Sequence, residues 1–271
     1  MILRRLGNKS KLAADIIQYF PPHKIYIEPF FGAGGMFFNK PKAQYNIVND
    51  IDSDVFNLFQ VILNQKEELE KGLKSMPIHS DLLDYWKANK ETDPVRRALR
   101  FLFLSNLTYL NNIVYGASRC NGNQFLTITD LLIPTQDFIF GVQFMNKDFR
   151  IFFDSISLDD RSNESKKAFI YADKPYSETN DNYSNDWTPQ DDIDLLEVLD
   201  STGIKYAVSE FEGSHFENLA LKKGLNKIVI GERQNLKNRR VEILLCNYKN
   251  ESTLFDSLGG ASNSKSSLAF V

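Results

Sequence analysis

Apolar side chains recur at helical spacing from Leu12 through Ile16 and Ile17 to Phe20 and stop at Pro21-Pro22, so residues 11–20 are expected to form a helix. Residues 24–31 read instead as a buried strand that runs into Gly32-Ala33-Gly34-Gly35, followed by helical pattern at 36–39. A second short strand at 44–49 ends in Asp50-Ile51-Asp52. Strand, turn, helix and strand in that order begin a βαβ unit. From 54 to 100 the period is helical, punctuated by Pro77 and Pro94, with 95–104 forming a long, partly basic helix. This strandless stretch is an insertion into the α/β scheme. Residues 111–130 mix Asn, Gly and Ser with scattered aromatics and show little periodicity, which predicts a surface loop or hairpin. The α/β rhythm returns with strands at 137–144 and 168–172, a helix at 189–199, a strand at 205–209 and a closing pair at 226–230 and 241–248. The Ser- and Gly-rich tail from 251 is expected to pack against nothing.

The 271 residues suffice for one large domain, or one domain with a sizeable insertion, and 42% hydrophobic with 25% charged residues is ordinary globular composition. Lys plus Arg (32) against Asp plus Glu (35) leaves a net charge of −3, which excludes a uniformly basic coat but not a local basic cleft. Basic residues do cluster, as Arg4, Arg5, Lys9 and Lys11, as Arg96, Arg97 and Arg100, and as Arg233, Lys237, Arg239 and Arg240. Each cluster is either an ordinary solvated face or part of a phosphate-contacting side. Cys120 and Cys246 are far apart and form no CxxC pair, so neither a disulfide framework nor a structural zinc site is expected, and a reducing cytoplasm fits. No run approaches the ~20 apolar residues of a membrane span, and the charged start is followed by amphipathic pattern rather than a signal-peptide core. A chain neither secreted nor anchored is the expectation.

Two constellations carry chemistry. The small residues of Glu28-Pro29-Phe30-Phe31-Gly32-Ala33-Gly34-Gly35 sit at a strand end, where the backbone can turn tightly and approach a ligand. Asp50, at the end of the next strand, suits a ribose or similar diol. The glycine spacing is not GxGxxG and no GxxxxGK[ST] is present, so a plain strand-to-helix turn stays open as the alternative. The second constellation, Asp173-Lys174-Pro175-Tyr176, follows the strand Phe169-Ile170-Tyr171-Ala172 and brings a carboxylate and an aromatic ring to the carboxyl edge of the sheet, where open α/β folds bind ligands. The carboxylate can accept from an amino group and the ring can stack on a planar base. An Asp cap with a packed Tyr is the plain alternative.

Taken in order, four blocks resemble the Dam-like DNA adenine-N6 methyltransferase family, in which the glycine motif precedes the catalytic motif. They are Arg4 to Leu12, Ile27 to Phe38, Asn49-Asp50-Ile51-Asp52, and Tyr171 to Ser177, which matches a DPPY segment except at one position. Weaker matches are 104–125, resembling a DNA-contacting hairpin, and 239–248, resembling the final strand. The resemblance implies an α/β fold, a Rossmann-like methyltransferase sheet with helices on both faces and a helical DNA-recognition insertion. It implies a catalytic domain at 1–53 and 137–250, target recognition at 54–136 and a flexible tail at 251–271. The cofactor would be S-adenosylmethionine, leaving S-adenosylhomocysteine, and the substrate adenine in double-stranded DNA, flipped out of the duplex. A cognate restriction endonuclease is an implied partner, with the chain a monomer or weak dimer. No metal is required, and the sequence holds no His/Cys ligand set.

Laid on matching positions, the resemblance makes Asp173 and the carbonyl of Lys174 acceptors for the adenine amino group, with Pro175 in the same loop and Tyr176 stacking on the base. Arg5, Lys9, Glu28, Phe31, Gly32, Gly34, Asp50, Asp148, Phe149 and Asp173 would line the cofactor pocket. Asn111, Asn112, Arg119, Asn121, Asn123, Gln124 and Arg239 would contact DNA. Two positions depart from the family pattern: Arg5 stands where an aromatic is usual, and Lys174 where the first proline of DPPY would fix φ. An ammonium at 174 is expected either to pair with Asp173 and weaken it as an acceptor, or to point out to a DNA phosphate. A catalytically weakened relative that binds DNA and cofactor is therefore an alternative. A methyltransferase acting on RNA or on a protein glutamine is another, though the insertion argues against a protein substrate. A Rossmann-type nucleotide binder lacks its glycine spacing here.

Overall fold

The computed structural model describes residues 2–3, 8–109, 112–113, 122–159, 163–176, 187–234 and 239–249. In chain order its elements are α1 (Ala13–Ile17), β1 (Ile25–Glu28), β2 (Tyr45–Asn49), α2 (Ser53–Asn64), α3 (Lys66–Ser75), α4 (Ser80–Ala88) and α5 (Pro94–Leu107). There follow β3 (Thr108–Tyr109), β4 (Asn112–Ile113), α6 (Gly122–Ile139), β5 (Gln143–Met145), α7 (Phe149–Asp154), α8 (Glu164–Lys167) and β6 (Ala168–Ala172). The chain closes with α9 (Pro189–Ser201), β7 (Lys205–Phe211), α10 (His215–Lys222), β8 (Asn226–Gln234) and β9 (Arg239–Cys246). Seven strands form one sheet in the order β5-β2-β1-β6-β7-β9-β8, and β9 runs antiparallel between β7 and β8. β3 and β4 form a separate antiparallel pair.

Both faces of the sheet are covered, so its central strands are apolar on alternate sides rather than on one. Ile25, Ile27, Ala168, Ile170, Ala172, Tyr206 and Val208 face a core shared with α7, α9 and α10. Tyr26, Val48, Phe169, Tyr171 and Ala207 face the opposite core, shared with α1, α2, α3, α5 and α6. The high phenylalanine count is used there: Phe31, Phe37, Phe38, Phe59, Phe138 and Phe144 meet mostly edge-on, at centroid distances between 5.1 and 6.1 Å. Edge-to-face aromatic pairs add to the stabilisation that burial alone provides. The helices between β2 and β5 thus share a continuous core with the sheet.

Strands expected at 24–31, 44–49, 168–172 and 205–209 contain β1, β2, β6 and the start of β7, and the closing pair is β8 with β9. The helix expected at 11–20 is split into a 3₁₀ turn at Lys9–Lys11 and the short α1, and the helical stretch at 36–39 is a 3₁₀ turn at Phe37–Asn39. Two expectations need correction. Residues 122–130 of the surface loop expected at 111–130 belong to α6, and the strand expected at 137–144 is cut to Gln143–Met145 because 137–139 belong to that helix. Phe125, Ile128, Leu132 and Ile139 form the buried stripe that holds α6 in place. It does so despite Pro134, which cannot donate a helical hydrogen bond. The tail from 251 lies outside the described residues. Among the described residues no helix is long and apolar enough to cross a membrane.

The turn after β1 sets the site's floor. Gly34 adopts φ +72°, and a Cβ there would lie 2.5 Å from Phe38 and 2.8 Å from Phe31. Gly32 adopts φ +56° but has no atom within 4 Å of such a Cβ. Gly34→Ala therefore combines backbone strain with overpacking and should lower the unfolding free energy by about 3 kcal/mol, while Gly32→Ala should cost only the strain, about 1 kcal/mol. Urea unfolding of both variants checks this, and equal losses would exclude the packing component.

Candidate active site at the carboxyl edge of the sheet

The ends of β1, β2 and β5 are tied together by side chains that serve backbone groups. Asn49 Nδ2 donates to the carbonyls of Pro29 (3.1 Å) and Lys147 (2.9 Å), and Asn146 Nδ2 donates to that of Asp50 (2.7 Å). Gly32 N donates to Asp50 Oδ2 at 2.5 Å and Asp52 N to Asp50 Oδ1 at 2.8 Å, so the half-buried Asp50 carboxylate is held in one orientation at the glycine turn. Charge-assisted bonds to backbone N–H groups are among the stronger hydrogen bonds. The structure brings Gly32, Gly34 and Asp50 together. Phe31 is 3% exposed, its ring enclosed by other phenylalanines, so any contact it makes to a ligand falls to its backbone.

Asp148 caps α7, accepting from Arg150 N at 2.9 Å, and also takes the Arg150 guanidinium, which reaches Asp191 and Asp194 as well. The Phe149 ring is buried between Phe30 (5.8 Å) and Trp187 (5.5 Å). Glu28, at the end of β1, is 2% exposed and accepts from Tyr26 Oη at 2.8 Å. Burial pushes its carboxyl up to about 8.

Beside this turn, the loop after β6 carries Asp173 and Tyr176. Lys9 Nζ lies 2.9 Å from Asp173 Oδ1 and 3.0 Å from Glu242 Oε1, and it also bonds the Tyr176 hydroxyl. Tyr176 Oη donates to Asp173 Oδ1 and Glu242 Oε1, each at 3.1 Å. Burial opposes the Lys9 charge, but the Asp173 and Glu242 carboxylates outweigh it and hold this ammonium above the usual lysine range. Lys9 is therefore a buried counter-charge and not part of a phosphate-facing cluster. Among the described residues, the contacts to Asp173 from Lys9 and Tyr176 both go to Oδ1, which leaves Oδ2 for an incoming donor. The Tyr176 ring is only 6% exposed and packs on Phe211 at 4.5 Å, so the expected base-stacking face is covered in this conformation, the hydroxyl being drawn inward by its charged partners.

Lys174 corrects both expectations made for it. It neither pairs with Asp173 nor reaches solvent: its side chain is 1% exposed and its Nζ lies 3.0 Å from Asp192 Oδ1 and 2.7 Å from Glu210 Oε2. The cause is the alternation of an extended chain, which sends residue 174 to the face opposite Asp173. Arg97 and Arg100 are engaged within the chain, on Asp54 and on the carbonyls of Trp86 and Asn89, whereas Arg96, its side chain 61% exposed, pairs with Glu91 at the surface. Pro175 is half-buried in the loop, Gln124 is half-buried in the first turns of α6, and the Arg240 guanidinium lies 5.3 Å from the Phe211 ring. Arg4, Arg5, Asn111, Arg119, Asn121 and Lys237 lie outside the described residues, and for Asn112, Asn123, Arg233 and Arg239 only the backbone is described.

A seven-stranded sheet of this order, with the glycine turn and an Asp-Lys-Pro-Tyr loop at adjacent strand ends, accompanies a match of residues 6–235 to the D12 class N6 adenine-specific DNA methyltransferase family. The chain belongs to that family. It is 28% identical over 182 residues to a DNA adenine methylase of Salmonella typhi, a match covering 65% of this chain and 64% of that protein. The chain thus spans just under two thirds of the length of that relative. It is 32% identical over 113 residues to the DNA adenine methylase of Escherichia coli K12, covering 40% of each chain. A Type II methyltransferase of Methanocaldococcus jannaschii is 25% identical over 294 residues, covering 91% of this chain and 98% of its own.

Within this family member, Glu242, Glu210, Asp192 and Trp187 complete the site's surroundings, and the motif reading missed all four. Glu242 and Glu210 had a usable signal, since each is the lone carboxylate of its strand, and a buried charge needs a partner.

Because Glu28 binds its proton more tightly when folded than its ordinary value of about 4.5 in the unfolded chain, folding is favoured below that value and loses stability as pH rises toward 8. Relative to Glu28→Gln, the protein should lose up to about 1.4 kcal/mol per pH unit between 5 and 8. Urea unfolding of both proteins at pH 5, 6.5 and 8 checks this, and parallel pH profiles would exclude a raised Glu28.

Proposed function

We propose that the chain transfers a methyl group from S-adenosylmethionine to the N6 amino group of adenine in double-stranded DNA, acting on a base flipped out of the duplex. The single observation that carries this reading is the placement of Asp173 beside the glycine turn, its Oδ1 engaged by Lys9 and Tyr176 and its side chain 20% exposed. S-adenosylmethionine, when bound, supplies an electrophilic methyl group on a sulfonium.

The residues present suit such a group. Asp50 offers an oriented carboxylate to a ribose diol, and the space beside Gly32 permits a close approach to the backbone. Asp173 Oδ2 and the carbonyl of Lys174 accept the two amino hydrogens of adenine, turning the nitrogen lone pair toward the methyl group. Positive charge that would develop on the amino nitrogen during transfer would be met by the Asp173 carboxylate. The extra proton then leaves through Asp173 to water. Lys9 holds the carboxylate still from behind.

Residues 54–136 carry target recognition in this reading, and the chain works in the cytoplasm as a monomer or weak dimer alongside a cognate restriction endonuclease. The weakened-relative alternative rested on Lys174 leaving the loop freer and pairing with Asp173; Lys174 Nζ is bonded to Asp192 and Glu210, which speaks against the pairing, and the methylation assays below test the rest.

Sequencing DNA from a methylation-deficient host that expresses the chain should reveal N6-methyladenine in a short recurring sequence, and its absence would overturn the reading. Asp173→Asn should lower single-turnover methylation by about 10²-fold or more with little change in cofactor affinity. Asp50→Ala should weaken S-adenosylmethionine binding by roughly 1–3 kcal/mol in calorimetry. Unchanged affinity in the folded variant would remove Asp50 from the cofactor site.

A further inference from the structure

The ladder between β6 and β7 pairs Tyr171 with Ala207 and Ala172 with Val208, and the same register carried two residues on sets Lys174 opposite Glu210. Ala172 faces the core under α9 and α10, and Lys174 continues on that side. Its ammonium is clamped by one carboxylate from α9 and one from β7, and it lies 5.4 Å from the Trp187 ring and 5.0 Å from that of Phe216. The two acids are themselves fixed: Trp187 Nε1 donates to Asp192 Oδ1 at 2.7 Å, His215 Nδ1 lies 3.0 Å from Asp192 Oδ2, and Phe211 N donates to Glu210 Oε1 at 2.8 Å. Asp192 and Glu210 are 1% and 3% exposed.

A buried ion cluster of this kind is seldom more stabilising than an apolar one of the same volume. Its distinctive property is direction. An ammonium held by acceptors on two separate elements locates its own backbone against both, which an apolar side chain does not do.

We propose that Lys174 is a positioning residue, whose clamp by Asp192 and Glu210 fixes the 173–176 backbone and so holds the Asp173 carboxylate and the residue 174 carbonyl in working geometry. The inference rests on the methyltransferase reading above. The clamp replaces the stiffness that a proline at 174 would supply through its fixed φ. Lys174→Pro alone forfeits the clamp and leaves two buried carboxylates without their cation, which is strongly destabilising.

The test therefore neutralises the acids together with the lysine, comparing the wild type with Lys174→Met/Asp192→Asn/Glu210→Gln and with Lys174→Pro/Asp192→Asn/Glu210→Gln. Thermal unfolding establishes that each is folded, and calorimetry gives S-adenosylmethionine affinity. Single-turnover methylation of unmethylated genomic DNA and hydrogen exchange of the Asp173 and Tyr176 amides, which every variant retains, report the loop. The Met triple variant should keep wild-type cofactor affinity and DNA KM, lose about tenfold or more in rate, and exchange the loop amides about tenfold faster. The Pro triple variant should regain most of the rate and protection. Wild-type rate and exchange in the folded Met variant would overturn the positioning role, as would failure of the Pro variant to recover either. A wild type that methylates no DNA would overturn the methyltransferase reading alone, because loop exchange still decides the clamp.

Discussion

Side chains keep alternating for two residues beyond the last pairing of β6, and the active-site loop depends on this. Tyr171 and Asp173 point to one face, Ala172 and Lys174 to the other, and each charged residue meets a counter-charge that the fold brings from far away. On Asp173's side, Lys9 comes from the chain's start and Glu242 from its last strand. On Lys174's side, Asp192 and Glu210 come from the helix and strand that follow. Satisfying both faces is what makes these charges tolerable in a dry interior, since either set with a member missing would leave an uncompensated buried ion.

Apart from β5, the sheet was legible because its strands are compact runs rich in aromatic and β-branched residues, and burial on both faces keeps them continuous. α6 was not legible, because Asn121-Gly122-Asn123 and Pro134 carry the composition of a loop while the decisive stripe of Phe125, Ile128, Leu132 and Ile139 shows only once a neighbouring core exists to bury it. A similar contrast runs through the site. Gly32 and Asp50 meet through backbone geometry at adjacent strand ends, which strand order and spacing convey. Glu242, Glu210 and Asp192 act through side chains whose lysine partners lie 233, 36 and 18 positions away, and no local pattern encodes those distances. The direction of Lys174 was nevertheless available by counting from Ala172, had the alternation been carried past the strand's end.

The pairing of Lys9 with Glu242 also has a temporal meaning. Lys9 and Glu242 are 233 positions apart, and contacts at such separation are entropically dearer to close than local ones. During synthesis the amino-terminal segment emerges first. Its lysine then waits, hydrated, while helices, β6 and β7 are made, and only when β9 has left the ribosome does its second carboxylate arrive. A nascent or truncated chain ending before residue 242 can possess the glycine turn and the Asp173 loop yet lack the acid that helps keep Lys9 charged in the interior, so competence of the site comes with completion of the sheet.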